Sequence, residues 1–350
     1  MSNSAPAQRG FAARWIRRNA VNLIFLLVLV AIFYVLLATG LDPTVTGSLY
    51  PAMEEGKYGF IHPNGRFAIE PTFDSADHFH EGRAVVSVAG KYGIIDEDGE
   101  YVIRPSLTSA RQYSEGLACI GTGNAFGFVD RSGEIVIDVK FAAAGDFHSG
   151  LAWIRKGGKY GFVNFDGDIM IPPSYGRVRD FHDGLCAATT DKLFGYIDTS
   201  GRWVIPPQFA DALDFSGGLA PVRSESRWGY IERSGKFVIP PQFEGATVFS
   251  DLLAAVKANG LWGYIDSTGI FVIDAVYESA RPFKDGAAVV QRDGGYGVID
   301  KDGDWLAKPS YMKISEFRGG LAWFKAKPRG RVVEGYMDRK GKVYYSRRSD

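Results

Sequence analysis

Five histidines stand in the 350-residue chain, and three of them, His80, His148 and His182, occupy the same place in successive stretches of sequence. Asp146, Asp180 and Asp183 flank the latter two, and His78 lies two residues before His80, on the same face if that segment is a strand. Imidazole and carboxylate together suit zinc or copper. The same place holds Ser114, Ser216, Ser250, Lys284 and Arg318 elsewhere, however, so the position reads as a solvated turn. No metal is expected, and His80, His148 and His182 are the weak candidates for holding one.

Other chemistry-bearing residues resolve in a similar way. Trp153, Trp203, Trp305 and Trp323 occupy positions otherwise filled by Phe, Ile, Val, Ala, Cys or Pro, which is a core pattern. Aromatics displayed on β-arrays also stack on sugar rings, and Trp153 and Trp323 are the speculative candidates for that role. Asp-x-x-Gly recurs at Asp96, Asp130, Asp198, Asp266, Asp300 and Asp338, but one carboxylate per turn is too few for the six to eight oxygens that calcium takes. Gly121-Thr122-Gly123 has no following helix to hold a phosphate and reads as a hairpin connection. Cys119 and Cys186 are too far apart in the pattern to bond and read as buried thiols. There is no Gly-x-x-x-x-Gly-Lys-Ser/Thr loop, Gly-x-Ser-x-Gly elbow or His-Glu-x-x-His helix, so neither catalysis nor a cofactor is expected.

What positions these residues is a repeat. An aromatic-Gly pair recurs as Tyr58-Gly59, Tyr92-Gly93, Phe126-Gly127, Tyr160-Gly161, Phe194-Gly195, Trp228-Gly229, Trp262-Gly263 and Tyr296-Gly297, each glycine 34 residues after the last. Gly335 follows 38 later with Glu334 in the aromatic place. A second glycine stands six residues after each of the nine, and a third stands 23 after the first in seven of eight full units, Leu252 breaking the column. The three columns hold 25 of the 43 glycines, which makes the glycine excess structural. The spacing predicts a β-hairpin with an Asp-x-x-Gly turn, then a run ending near Pro-Pro, then a return strand. Between them lie apolar columns, one of which, Phe79 to Phe317, is aromatic in every unit. One unit cannot bury these rings, whereas stacked neighbours can.

These motifs closely resemble the WG-repeat (KWG) family over roughly residues 57–346, with Trp228 and Trp262 supplying the literal Trp. The resemblance implies an all-β repeat array with a binding or scaffold role and no transferable active site. The expected fold is an all-β tandem repeat, an open β-hairpin array or solenoid, preceded by one transmembrane helix. The alternative is a β-propeller-like ring, which the short unit disfavours because blades usually take about 40–50 residues.

The neutral total, 40 basic against 40 acidic residues, excludes a nucleic-acid binder that relies on phosphate neutralisation. It hides a basic tail: Arg9, Arg14, Arg17 and Arg18 precede a run from Val21 to Gly40 with no charged residue. Such a run is long enough to span a bilayer, with the N-terminus in the cytoplasm; a signal peptide cleaved near Ala38-Thr39-Gly40 is the alternative, disfavoured because such apolar cores run about 7–15 residues. The organisation expected is a cytoplasmic basic tail at 1–19, a transmembrane helix at 20–41, a linker at 42–56, eight repeats at 57–330, and a partial ninth repeat or cap at 331–350. The resemblance points to a bacterial inner membrane, with the repeats periplasmic or extracellular. An envelope protein is the expected partner, and cell-wall polysaccharide such as peptidoglycan is the alternative.

Overall fold

The aromatic-Gly pair is followed by a close approach of main chain. In the computed structural model, which describes residues 48–348, Phe194–Asp198 pairs antiparallel with Trp203–Phe209, and the register slips between Phe194 and Tyr196. That bulge carries the Ile205 carbonyl over Gly195, where a β-carbon would lie 2.3 Å from its oxygen. The same approach recurs at Gly59, Gly161, Gly229 and Gly263. Glycine is required here because nothing larger fits under the bulged strand.

The second glycine column has a different cause. Asp198 Oδ1 accepts hydrogen bonds from the Ser200 and Arg202 backbone N–H groups, and Gly201 closes the turn at φ +80°. Asp96, Asp130, Asp266, Asp300 and Asp338, with Asn164, use their oxygens in the same way. The turn residues therefore occupy the carboxylates that a calcium reading would need.

Each hairpin gains two strands on the side of its aromatic-Gly strand. Asp211–Ala212, Leu219–Ser224, Arg227–Glu232 and Phe237–Phe243 form one four-stranded antiparallel sheet in chain order, and the outer strand of one sheet leads directly to the short inner strand of the next, two residues long except at Ala143–His148. Sheets of this kind cover 75–107, 109–141, 143–175, 177–209, 211–243 and 245–277. A seven-stranded sheet over 279–348 holds two more, because Trp305–Ile314 runs unbroken from the outer strand of one into the inner strand of the next. With the three-stranded sheet of Tyr50–Glu54, Lys57–Ile61 and Phe67–Phe73, nine successive sheets result.

Successive sheets dock by a repeated contact. A β-carbon on the turn glycine of one hairpin would touch the isoleucine at the centre of the preceding outer strand: Gly99 on Ile69, Gly167 on Ile137, Gly235 on Ile205, Gly303 on Ile273. Gly65, in the first sheet, meets Tyr344 and Tyr345 of the last. Tyr345 pairs with Tyr336 as Ile273 pairs with Tyr264, so it stands in the isoleucine's place. The aromatic after the repeat glycine also packs on the aromatic column of the next sheet, as in Phe162–Phe181 with ring centroids 4.7 Å apart and Tyr264–Phe283 at 4.7 Å. At the seam, Tyr336 and Tyr50 make this contact at 5.4 Å.

The open array expected from the unit length is thereby corrected, since the two ends meet and the sheets form a ring. Thirty-four residues suffice because the inner strands are as short as two residues and the turns are minimal. The linker expected over 42–56 is corrected as well: Tyr50–Glu54 is a strand of the first sheet, and Leu49, Tyr50 and Ala52 are buried. The ninth unit supplies the strands Val333–Asp338 and Val343–Arg348 and joins the last sheet to the first. Its four extra residues lie in the connection after Leu321–Ala326, which contains the 3-10 turn Pro328–Gly330. The basic tail and the transmembrane helix expected at 1–19 and 20–41 lie outside the described residues.

Candidate functional site

Just before the tight turn that follows the inner strand, the column aromatic is turned into the core, as with Phe147, Phe181 and Phe215. Strand alternation sends the residues on either side of it to the opposite face. These flanking positions include all three candidate histidines. Residues far apart in sequence approach one another here: Arg318 Nη1 donates to Gln112 Oε1 at 3.4 Å across 206 residues of chain.

The structure brings two of the three histidines together. The His148 and His182 rings lie 5.2 Å apart. His148 Nε2 is 3.8 Å from Asp180 Oδ2, and His182 Nε2 is 3.7 Å from Asp214 Oδ2. One unit earlier, Arg111 Nε lies 2.8 Å from Asp146 Oδ1. The result is a ladder in which a cation from one unit faces an aspartate from the next. Asp180 Oδ1 and Asp214 Oδ1 are buried without hydrogen bonds. Burial raises both carboxyls above the ordinary carboxylate range, opposed by the facing imidazoles, His148 foremost for Asp180 and His182 for Asp214.

Asp214 is the member that the sequence reading missed. Its signal was present, since Asp146, Asp180 and Asp214 are spaced by 34 residues. Asp183 is not a member: it sits in the tight turn at φ 51°, and its carbonyl accepts from Arg233. His80 is also apart, lining a pocket of about 370 Å³ with His78. His78 is half-buried, and burial together with the charge of Arg318 pushes it down to about 4. Among the described residues, no group of three or more His, Cys, Asp or Glu side chains is placed to hold a metal ion.

The serines of this position make a structural bond. Ser114, Ser216 and Ser250 donate to the carbonyls of Phe147, Phe249 and Phe283 in the next unit. The histidines and the two cations are thus departures from a structural default.

The tryptophans divide. Trp153 packs its indole nitrogen over Gly145, where a β-carbon would lie 2.0 Å from it, and makes an edge contact with Tyr160 at 5.6 Å. Trp203 and Trp305 make similar edge contacts with Tyr175 and Tyr277. Trp323 lines a cleft of about 340 Å³ at the seam, with Tyr58, Tyr345, Glu334 and Arg347. Lys313 Nζ stands 6.0 Å from its ring centroid. Cys119 and Cys186 are free and buried in different sheets, and burial pushes the Cys119 thiol up to about 12. Gly121-Thr122-Gly123 joins the paired strands Ala118–Thr122 and Ala125–Val129, with Gly123 at φ 61°.

A ring of repeated antiparallel sheets with side chains gathered on its inner register is an all-β, propeller-like architecture. The WG-containing repeat family matches in eight consecutive segments from residue 58 to residue 327, and the chain belongs to that family. Its fold is similar to a solved structure described as a eukaryotic initiation factor, with a TM-score of 0.63 and 10% identity over 87% of this chain and 96% of that one. A structure described as the Dos1 propeller aligns with a TM-score of 0.41 and 13% identity over 76% of this chain and 92% of that one. No curated protein matches the sequence.

Proposed function

We propose that this chain is an interaction scaffold of the bacterial envelope. In this reading residues 20–41 hold it in the inner membrane with the N-terminus cytoplasmic, the ring lies outside that membrane, and it acts by binding a protein partner rather than by catalysis. The observation that carries the reading is a row of exposed aliphatic side chains nine residues after the repeat glycine. Val136, Met170, Val204, Val238 and Val272 are 41, 52, 45, 44 and 48% exposed in five consecutive units. Each lies on the outer strand of its sheet, which is hydrogen-bonded on one side only. Exposed apolar side chains on an unpaired strand edge favour contact with another protein.

The test is photo-crosslinking in intact membranes from Met170 and Val204, each replaced by a photoreactive residue in the full-length chain. A discrete adduct from both positions, absent from the solvent-facing Lys192, is the expected result. Uniform labelling, or none, overturns the reading.

A second reading, polysaccharide binding, is favoured by Trp323 alone, because its cleft combines aromatic faces with Glu334 and Arg347. Salt-resistant co-sedimentation with cell-wall sacculi, lost in Trp323→Ala, is its test.

A further inference from the structure

The pocket that holds His80 has a composition unlike the rest of the inner register. Its lining includes Lys284, Arg318, His78, His80 and Gln112, contributed by both ends of the chain and brought together by ring closure. Among the described residues that line it there is no carboxylate. The nearest acids lie just outside it: Glu316 lines an adjoining cleft together with Lys284, and Asp77, in the cleft at the seam, feels the charge of Arg318. Neither Lys284 nor Arg318 has an ion-pair partner among the described residues, in contrast to Arg111, Arg179 and Arg223, each of which faces an aspartate. Both cations also stand where Ser114, Ser216 and Ser250 bond to the next unit, so they contribute charge at a position that needs none for the fold.

We infer that this pocket is an oxyanion site, taking the carboxylate or phosphate group of a small ligand between Lys284 and Arg318, with Gln112 and His80 as further polar contacts. A guanidinium presents paired donors to two oxygens of such a group, and the lysine adds a point charge. The roughly 370 Å³ available accommodates an anionic group with a small substituent. No carboxylate lines the pocket itself, which sets this sector against the aspartate ladder of Asp146, Asp180 and Asp214. Because the site exists only where the last sheet meets the first, it also depends on closure. The inference goes beyond the protein-scaffold reading and stands independently of it.

The experiment is calorimetric titration of the full-length chain with inorganic phosphate and, separately, with succinate, at ionic strength held constant with sodium chloride. Saturable binding of either anion, weakened about tenfold or more by Arg318→Gln with Lys284→Gln, is expected, whereas Lys140→Gln leaves it unchanged. Phosphate alone would identify a phosphate-bearing ligand, and succinate alone a carboxylate. Lys284→Gln by itself, at an exposed side chain, guards against a double variant that fails to fold. Saturable binding of neither anion, or equal binding by wild type and folded variants, overturns the inference.

Discussion

The Tyr336 hydroxyl donates to the Pro51 carbonyl at 2.7 Å, joining residues 285 positions apart. The bond has internal counterparts: Tyr230 and Tyr264 donate to Thr247 and Arg281 in the following sheet at 2.9 and 2.8 Å. Closure therefore uses the same donor position on a different acceptor, since Pro51 lies within the strand Tyr50–Glu54 whereas Thr247 and Arg281 follow two-residue strands, and Tyr50 stands against Tyr336 in place of the column aromatic.

If the ends are joined in solution, Tyr336→Phe and Tyr230→Phe should cost similar amounts, about 1–2 kcal/mol each, since both leave a carbonyl without its donor. Chemical denaturation of the two variants checks this. An end that is open in solution would make Tyr336→Phe nearly silent while Tyr230→Phe remained costly.

Gly195→Ala should destabilise by roughly 3 kcal/mol, because the added methyl collides with main chain that cannot move without breaking the bulge. Gly218→Ala provides the contrast. Gly218 is at φ +82° with nothing within 4 Å of an added β-carbon, so only left-handed backbone strain of roughly 1 kcal/mol opposes it. Comparable losses in thermal stability for the two variants would contradict the steric account of the repeat glycine.

Leu252 occupies the third glycine column at φ 74° with 84% of its surface exposed. The side chain gains little from burial and holds the backbone in the left-handed region, so Leu252→Gly should stabilise the fold by up to about 1 kcal/mol. A shift of the denaturation midpoint to higher denaturant at unchanged slope is the expected signature.

Asp180 gives a pH dependence whose sign follows from burial. Its folded pKa lies above that of the unfolded chain, so the folded state holds the proton more tightly. The stability this contributes is fully present below the unfolded value, about 4, and is lost as pH rises through the raised folded value. The groups that set the size of the effect are His148, Asp146, Asp214 and His182. Asp180→Asn lacks this loss, so its stability relative to wild type should increase between about pH 4 and pH 7. A difference that shrinks over that range would mean that His148 outweighs burial.

Much of the site was readable before the fold. His148 and His182 share a register in adjacent units, and adjacency in a repeat becomes adjacency in space, so their approach to 5.2 Å follows from the 34-residue period. Their pairing with Asp180 and Asp214 does not follow, because it depends on the rotation between neighbouring sheets. His80, in the same register, ends in a different environment since its neighbour across the seam is Arg318 rather than another histidine. Trp153 and Trp323 likewise share a register and separate, one into packing and the other onto a cleft, because only Trp323 lies beside the closing strand.

The sequence by itself determined the period, the hairpins, the turn carboxylates, the positions where glycine is obligatory and the family. All of these are local, set by interactions within a few residues or between one unit and the next. The tertiary structure alone decided that the array closes. Each unit rotates slightly relative to its neighbour, and whether nine such rotations return to the start is a sum that no single unit encodes. Closure converted the segment before the first aromatic-Gly pair from tether to strand, gave Tyr336 its partner in Pro51, and brought Lys284 and Arg318 to the same pocket as His80.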